Sequence, residues 1–337
     1  MATILVTGIA GFIGSALAQR LLERGDAIYG IDNLNDYYSI DLKKARLARL
    51  ESSKKFTFQL LDITDRTAMR NLFAQHHFDI VVNLAAQAGV RYSIDHPEFY
   101  FDTNLMGFGH ILEGCRQTHV QHLIFASSSS VYGANLKQPF SESDNVDHPI
   151  SLYAATKKAN ELMAHSYAHL YNLACTGLRF FTVYGPWMRP DMALFKFANL
   201  MTNGQAIPVY NYGEMVRDFT YIDDIIDGVE HVIDHPAQKN VQWDPLEPVP
   251  SSSQAPYRIY NIGSNRAVSL MYYIELLEQH LNIKAKLDFQ PLQAGDVLKT
   301  FADTSLLQQD FDYSPTTSVE YGVAQFAAWY KNFYPQS

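Results

Sequence analysis

Short apolar runs alternate with longer amphipathic stretches through the first half of the chain. Residues 3–6, 27–31, 56–61, 80–84, 123–126 and 175–181 are rich in Ile, Leu, Val and Phe and read as buried strands. Between them, residues 12–24, 42–50, 65–76, 98–118 and the stretch from Leu152 to about residue 171 carry apolar side chains at helical spacing. Strand and helix in strict alternation predict a doubly wound parallel sheet, with ligands bound beyond the carboxyl ends of its strands. After Thr182 the pattern loosens. Helical stretches near 191–203, 221–234 and 268–281 alternate with short strands near 207–210 and 258–263. This predicts a division at residues 1–181 and 182–337, the second part a smaller interleaved α/β lobe from which some segments return to the first. Two stretches read as loops. Residues 134–151 are polar, with Glu142, Asp144 and Asp147 expected on a solvated face, and the Pro- and Ser-rich residues 235–257 are expected to be exposed.

Chemistry enters where the strands end. Gly8, Gly11 and Gly14 stand at three-residue spacing between the first strand and the first helix. Gly8 permits a tight turn, Gly11 lets a pyrophosphate approach the backbone, and Gly14 lets the helix pack close to the strand. The helix start offers free N–H groups to the phosphates. Asp32 ends the second strand, where a carboxylate would accept the adenosine ribose hydroxyls and repel a 2′-phosphate, favouring NAD over NADP. A plain strand-end turn residue is the alternative. Asp62 and Ile63 end the third strand and are placed to bracket the adenine. The small residues Ala85 and Ala86 end the fourth, leaving room for a cofactor, and Arg91 follows nearby.

Tyr153 and Lys157 lie four residues apart and share one helix face. A free Tyr, with a pKa of about 10, is a weak base near neutrality. A cation about 4 Å away at an effective dielectric near 20 stabilises phenolate by roughly 4 kcal/mol. That makes Tyr153 a candidate acceptor for the proton of an alcohol that loses hydride. An isolated Tyr-x-x-x-Lys is more often a surface pair, but of the 21 tyrosines only Tyr153 has a Lys at this spacing, and the glycine turn supplies a hydride partner. The run Ser127 to Ser130 could be only a turn, or could hold the hydroxyl that bonds the reacting oxygen.

Composition narrows this further. A net charge of -9 disfavours nucleic acid or an anionic membrane as partner. Cys115 and Cys175 form neither a disulfide framework nor a metal-ligand spacing and read as small buried residues. No cleavable leader and no apolar run of membrane-spanning length is apparent, so a cytoplasmic protein is expected.

Taken together, Gly8/Gly11/Gly14, Asp32, Asp62-Ile63, the serine run before Val131-Tyr132-Gly133, Tyr153/Lys157 and Arg179-Phe180-Phe181 resemble the extended short-chain dehydrogenase/reductase family, and in particular its nucleotide-sugar 4-epimerases. In the second lobe the likeness continues through Arg217-Asp218-Phe219, Tyr260-Asn261-Ile262-Gly263 and Gly295-Asp296-Val297. It is closest to the UDP-glucuronate 4-epimerases, through Ala86 to Ser93 and through Phe181 to Ala193, although Met188 stands where Gly is expected.

The resemblance implies a Rossmann fold, tightly bound NAD regenerated in each turnover, a UDP-sugar substrate, no metal and a homodimer through the helices near 98–118 and 152–171. It implies Tyr153, Lys157 and Ser128 as the catalytic set. Around NAD it places Gly8, Gly11, Phe12, Ile13, Gly14, Asp32, Asn33, Asp62, Ile63, Leu84, Ala85, Ala86, Thr103, Tyr153, Lys157 and Phe181. Around the substrate it places Gln87, Arg91, Ser128, Ser129, Thr182, Arg189, Arg217, Gln293 and Asp296. Thr182 and Arg189 are candidates to clamp the carboxylate of a uronic acid, Arg217 to meet the UDP phosphates and Asp296 the uridine ribose. Ser129-Ser130 occupies the place where the related dehydratases carry Asp-Glu, which argues against dehydration. A neutral-sugar epimerase and a catalytically silent NAD-binding regulator are the competing readings.

Overall fold

The computed structural model describes residues 1–293 and 299–335. Its centre is a seven-stranded sheet formed by β1 (Thr3–Thr7), β2 (Ala27–Asp32), β3 (Phe56–Leu60), β4 (Ile80–Asn83), β5 (His122–Ser128), β6 (Cys175–Phe180) and, from far along the chain, Tyr257–Ile262. Three further strands precede that last one: β7 (Thr182–Tyr184), β8 (Ala206–Tyr210) and β9 (Val216–Tyr221), so it is β10. The order is β10-β6-β5-β4-β1-β2-β3, and every neighbouring pair is parallel. The chain winds outward in one direction from β1 and in the other from β4. The crevice between the carboxyl ends of those two strands is therefore the topological switch point.

Period-two alternation along β1 shows why the strands are apolar throughout. Ile4 and Val6 face one core, Leu5 the other, and all three are fully buried. The first core continues without a break into the second lobe, reaching Phe195, Tyr273 and Phe326. That lobe holds β7, β9 and β11 (Ala267–Ser269) in one sheet, with β8 paired to β12 (Lys286–Gln290) in another. Asp218, on β9, draws its surroundings together by accepting bonds from the backbone N–H of Ser264, Asn265 and Ala302 at 2.7, 3.1 and 3.1 Å.

Three local features depart from the periodicity. The helix expected over 98–118 is interrupted: a turn at Glu98–Tyr100 passes through a π-helical segment, Phe101–Gly107, into Phe108–Thr118. Inside the π segment, Asn104 reaches out to accept from the Gln87 N–H at 2.8 Å and to donate to the Gln87 carbonyl at 3.0 Å. The end of the loop 235–257 is not exposed. Ser251, Ser252 and Ser253 are buried because the Ile259 N–H bonds the Ser251 carbonyl at 2.9 Å, laying this segment against β10.

Glu142 is likewise not on a solvated face. Phe140 stacks on Tyr132 with ring centres 4.5 Å apart and exchanges backbone bonds with Phe301 and Asp303, at 2.8 and 2.9 Å. These anchors fold the polar loop inward and leave Glu142 only 3% exposed, accepting the Asn261 N–H at 2.8 Å. Asp144 accepts the Ser141 N–H at 2.9 Å and donates its own N–H to the Ser141 carbonyl at 3.0 Å, closing a turn, while Asp147 remains exposed. Burial pushes the Glu142 carboxyl up to about 7, against the Asn261 bond, with Asp303 adding to the rise. The folded chain therefore holds this proton more tightly than the unfolded one. The associated stability is present below the unfolded value and is lost as pH rises through 7. Glu142→Gln is expected to remove this decline, about 2–3 kcal/mol at most, so that urea midpoints at pH 5 and pH 8 lie closer together than in the unmodified protein.

Candidate active site

The switch-point crevice opens into a cleft of about 400 Å³. Its floor begins with the glycine turn. Gly8 has φ +68°, and a Cβ there would lie 2.8 Å from the Ala85 N at the end of β4. A Cβ on Gly14 would lie 2.3 Å from the Gly8 carbonyl oxygen. The turn is thus folded to the limit of backbone contact. The helix it leads into, Phe12–Arg24, has Gly11 as its first cap with no side chain bonded across the end. Its first N–H groups face a cradle that side chains leave open, as a pyrophosphate requires.

At the end of β2, Asp32 accepts the Ala10 N–H at 3.1 Å and the Leu34 N–H at 2.9 Å. Burial raises its pKa against those bonds and the nearby Lys43 charge. The Lys43 ammonium is itself held by the Asn35 carbonyl and side chain, both at 2.7 Å. Asn33 donates to Asp62 at 2.8 Å, tying the ends of β2 and β3 together. Burial would raise Asp62, but the bonds from Asn33 and Thr64 outweigh it and hold the carboxyl below its usual range. Gly8, Gly11, Phe12, Ile13, Gly14, Asp32, Asn33, Asp62, Ile63, Leu84, Ala85, Ala86, Thr103, Tyr153, Lys157 and Phe181 all line this one cleft. The open helix end, the compressed glycine turn and the carboxylate at the tip of β2 fit a dinucleotide.

Opposite the glycine turn, the helix Leu152–Tyr171 starts at Ser151, whose hydroxyl accepts the Ala154 N–H at 3.1 Å. This cap sets Tyr153 and Lys157 in the first turns, over the end of β5. The Lys157 ammonium, nearly fully buried, donates to the Ala126 carbonyl at 2.8 Å, and burial pulls its pKa down to about 8. The Tyr153 phenol is raised by burial, while a bond from Ser128 and the charge of Arg189 act to lower it. Ser128 and Arg189 thus favour phenolate, and the Lys157 ammonium bonds the carbonyl of Ala126 near the end of β5. Ser128 Oγ also sits 3.2 Å from both the Ser130 N and Oγ, so the strand end turns tightly with its hydroxyl toward the phenol.

Of the residues expected around the substrate, Gln87, Ser128, Ser129, Thr182 and Arg189 line the cleft. Arg91 does not, its guanidinium lying over the Tyr210 ring at 5.1 Å. Neither does Arg217, which donates to the Val216 carbonyl at 3.0 Å. Gln293, half-buried, is not among the lining residues, and Asp296 lies outside the described residues.

Several residues that line or support the cleft carried no role in the sequence. Tyr37 and Tyr38 come from the loop after β2, and Tyr37 reaches Asp191 across the cleft at 3.3 Å. Arg46, fully buried, donates to the carbonyls of Ala10, Trp187 and Met188 at 3.0, 2.6 and 3.2 Å, joining the glycine turn to the loop after β7. In that loop Met188 is buried with ordinary backbone. The left-handed position falls on Trp187, with φ 67°, whose ring packs on Trp329 and Phe333. The spacing of Arg189, Pro190 and Asp191 could have signalled a turn-held ion pair. Nothing in the sequence marks the Arg46 contacts. Among the described residues, no three His, Cys, Asp or Glu side chains are grouped to hold a metal ion, and no helix is long and apolar enough to cross a membrane.

Comparison with known proteins agrees with this geometry. Residues 4–263 match the model of the NAD dependent epimerase/dehydratase family. Protein CapI of Staphylococcus aureus is 53% identical over 331 residues, covering 98% of this chain and 99% of that protein. A probable UDP-glucuronate 4-epimerase of Rhizobium meliloti is 44% identical, with 98% and 97% covered. Among solved structures, the UDP-glucuronic acid 4-epimerase from Bacillus cereus in complex with UDP-glucuronic acid and NAD superposes with a TM-score of 0.86 at 31% identity, covering 98% of this chain and 100% of that one.

Proposed function

The chain belongs to the NAD dependent epimerase/dehydratase family and is an NAD-dependent nucleotide-sugar 4-epimerase, and we propose that it interconverts UDP-glucuronate and UDP-galacturonate. The observation that carries this reading is the meeting of Tyr153, Ser128 and Arg189 in one cleft with the glycine turn. NAD, which Gly8, Gly11, Gly14, Asp32 and Asp62 would hold in the cleft, would supply the hydride acceptor and donor for C4 of the sugar. Tyr153 takes the proton of the C4 hydroxyl as hydride leaves C4, and gives it back to the same oxygen when hydride returns to the other face of C4. Ser128 holds the same oxygen, and Lys157 keeps the strand end and the helix in register. Between the two transfers the flat 4-keto sugar turns about its pyrophosphate linkage. Thr182 and Arg189 hold the uronate carboxylate. This matters because the oxidised sugar is a β-keto acid that loses CO2 when its C5–C6 bond aligns with the carbonyl π system. The reading also takes in a second copy of the chain, set against the helices Phe108–Thr118 and Leu152–Tyr171, where Leu162 and Leu170 stand exposed.

The test is incubation of the purified protein with UDP-glucuronate, and in parallel with UDP-glucose, without added NAD. Conversion of UDP-glucuronate to UDP-galacturonate, faster than any turnover of UDP-glucose, is expected. Preferred turnover of UDP-glucose would reassign the substrate to a neutral sugar, and bound NAD with no conversion of either would point to a regulator.

A further inference from the structure

Arg189 does not face the cleft as a lone cation. The turn closed by the Met192 N–H on the Arg189 carbonyl, at 3.2 Å, folds Asp191 back onto its guanidinium. Nε donates to Oδ1 at 3.0 Å and Nη2 to Oδ2 at 2.8 Å, a two-point contact along one edge of the guanidinium. Tyr37, from the loop after β2, donates to the same Oδ2 at 3.3 Å, and its own pKa is pushed up to about 12, so it remains a donor. Asp191 therefore answers to groups from both sides of the cleft. Its partner is also the cation whose charge is felt at Tyr153.

We propose that Asp191 is a positioning and specificity-determining residue: by occupying the Nε edge of Arg189, it fixes the guanidinium plane and leaves the Nη end as the surface offered to the substrate carboxylate. The inference rests on the uronate reading above and deepens it. An unrestrained arginine would rotate with its ligand. A fixed one dictates the plane of the carboxylate, and with it the angle between the C5–C6 bond and the C4 carbonyl. When that bond stands parallel to the carbonyl π orbital it breaks. Its electron pair then forms the C4–C5 enolate, C6 departs as CO2, and a proton is taken up at C5 to leave a 4-keto pentose. Asp191 also shares the positive charge of Arg189, so the uronate is held by a partly neutralised partner. Affinity is lower than Arg189 alone would give, and alignment is what is gained.

These two consequences separate Asp191 from a residue that merely shapes the loop. Asp191→Asn removes the competing charge and loosens the guanidinium. Binding of UDP-glucuronate relative to UDP-glucose, read by calorimetry on the NAD-containing protein, is expected to tighten about tenfold, the worth of one charge-assisted bond. The fraction of turnovers ending in CO2 and a UDP-4-keto-pentose, or the UDP-pentose formed when hydride returns to it, is expected to rise roughly tenfold or more as orientation is lost. Tyr37→Phe removes one of the donors holding Asp191 but leaves its charge beside Arg189, so it is expected to raise the pentose fraction by less without tightening UDP-glucuronate binding, and it decides the matter if the Asn variant does not fold. If the unmodified protein converts no UDP-glucuronate, the uronate reading fails and this inference with it. If it does convert it, and folded Asp191→Asn and Tyr37→Phe leave both ratios unchanged or weaken binding of both sugars alike, the assignment to Asp191 fails alone.

Discussion

Tyr153→Phe is expected to lower kcat for epimerisation by about 10²–10⁴-fold, the usual worth of a positioned general acid–base, while the protein keeps its fold and its NAD. The expectation rests on what the phenol does and does not hold together. The ring meets Tyr100 edge-on, with centres 6.1 Å apart, a contact that Phe preserves. Ser128 loses one partner but retains Ser130. Lys157 keeps its bond to Ala126, so the helix stays seated on β5. The loss should thus appear in kcat, with UDP-sugar binding and NAD content close to those of the unmodified protein. The pH profile adds a sign. Burial raises the phenol above its ordinary value and Ser128 counts among the groups opposing that rise. Ser128→Ala removes a lowering influence, so the acidic limb of kcat should move to higher pH. Full activity in a folded Tyr153→Phe protein would remove Tyr153 from the chemistry altogether.

The sheet was legible because its chemistry is repetitive. In β1, β5 and β6 nearly every residue is buried, and runs of Ile, Leu, Val and Phe announce that at the level of single positions. The dinucleotide side of the cleft was legible for a related reason. Glycines forced by backbone contact at residues 8 and 14, and a carboxylate at a strand tip, leave local marks at fixed offsets. The substrate side was less so, because it is built by long-range contacts. Arg189 could be named from its position after β7, but its partnership with Tyr37 through Asp191 joins loops more than 150 residues apart. Glu142 was misplaced for the opposite reason. Its neighbours in sequence are polar, and the burial comes from Phe140 and Val146 docking on Tyr132, Phe181 and Ala302, which no local pattern records. The π segment at Phe101–Gly107 keeps helical spacing well enough to pass as α-helix, and Asn104 betrays it only once Gln87 is seen beside it.

Glu161→Gln is expected to cost about 3–5 kcal/mol of stability, the usual penalty for stranding a buried charge, and to slow catalysis although the side chain touches no substrate. Glu161 lies on the same helix face as Tyr153 and Lys157, about one turn beyond Lys157. It receives Arg179 Nε at 2.8 Å and Nη2 at 2.9 Å, and both side chains are essentially sealed from solvent. Burial alone would raise Glu161, but the Arg179 charge and bonds reverse this and hold the carboxylate low. Gln keeps one acceptor and no charge. Arg179 would then be buried without a counter-ion, with Lys158, now 3.9 Å from the carboxylate, adding a second cation beside it. The consequences extend to the cleft through Ser127, which donates to Glu161 at 2.7 Å and immediately precedes Ser128. They extend to the far wall through Arg179, Tyr132 and Asn261, linked at 3.1 and 2.6 Å. Urea unfolding should show the midpoint falling in the single variant. Replacing Glu161 and Arg179 together by Met should recover much of the loss, because the penalty comes from the unpaired charge rather than from the absent pair. A single variant as stable as the unmodified protein, or a double variant worse than the single, would show that this pair does not hold the strand end in place.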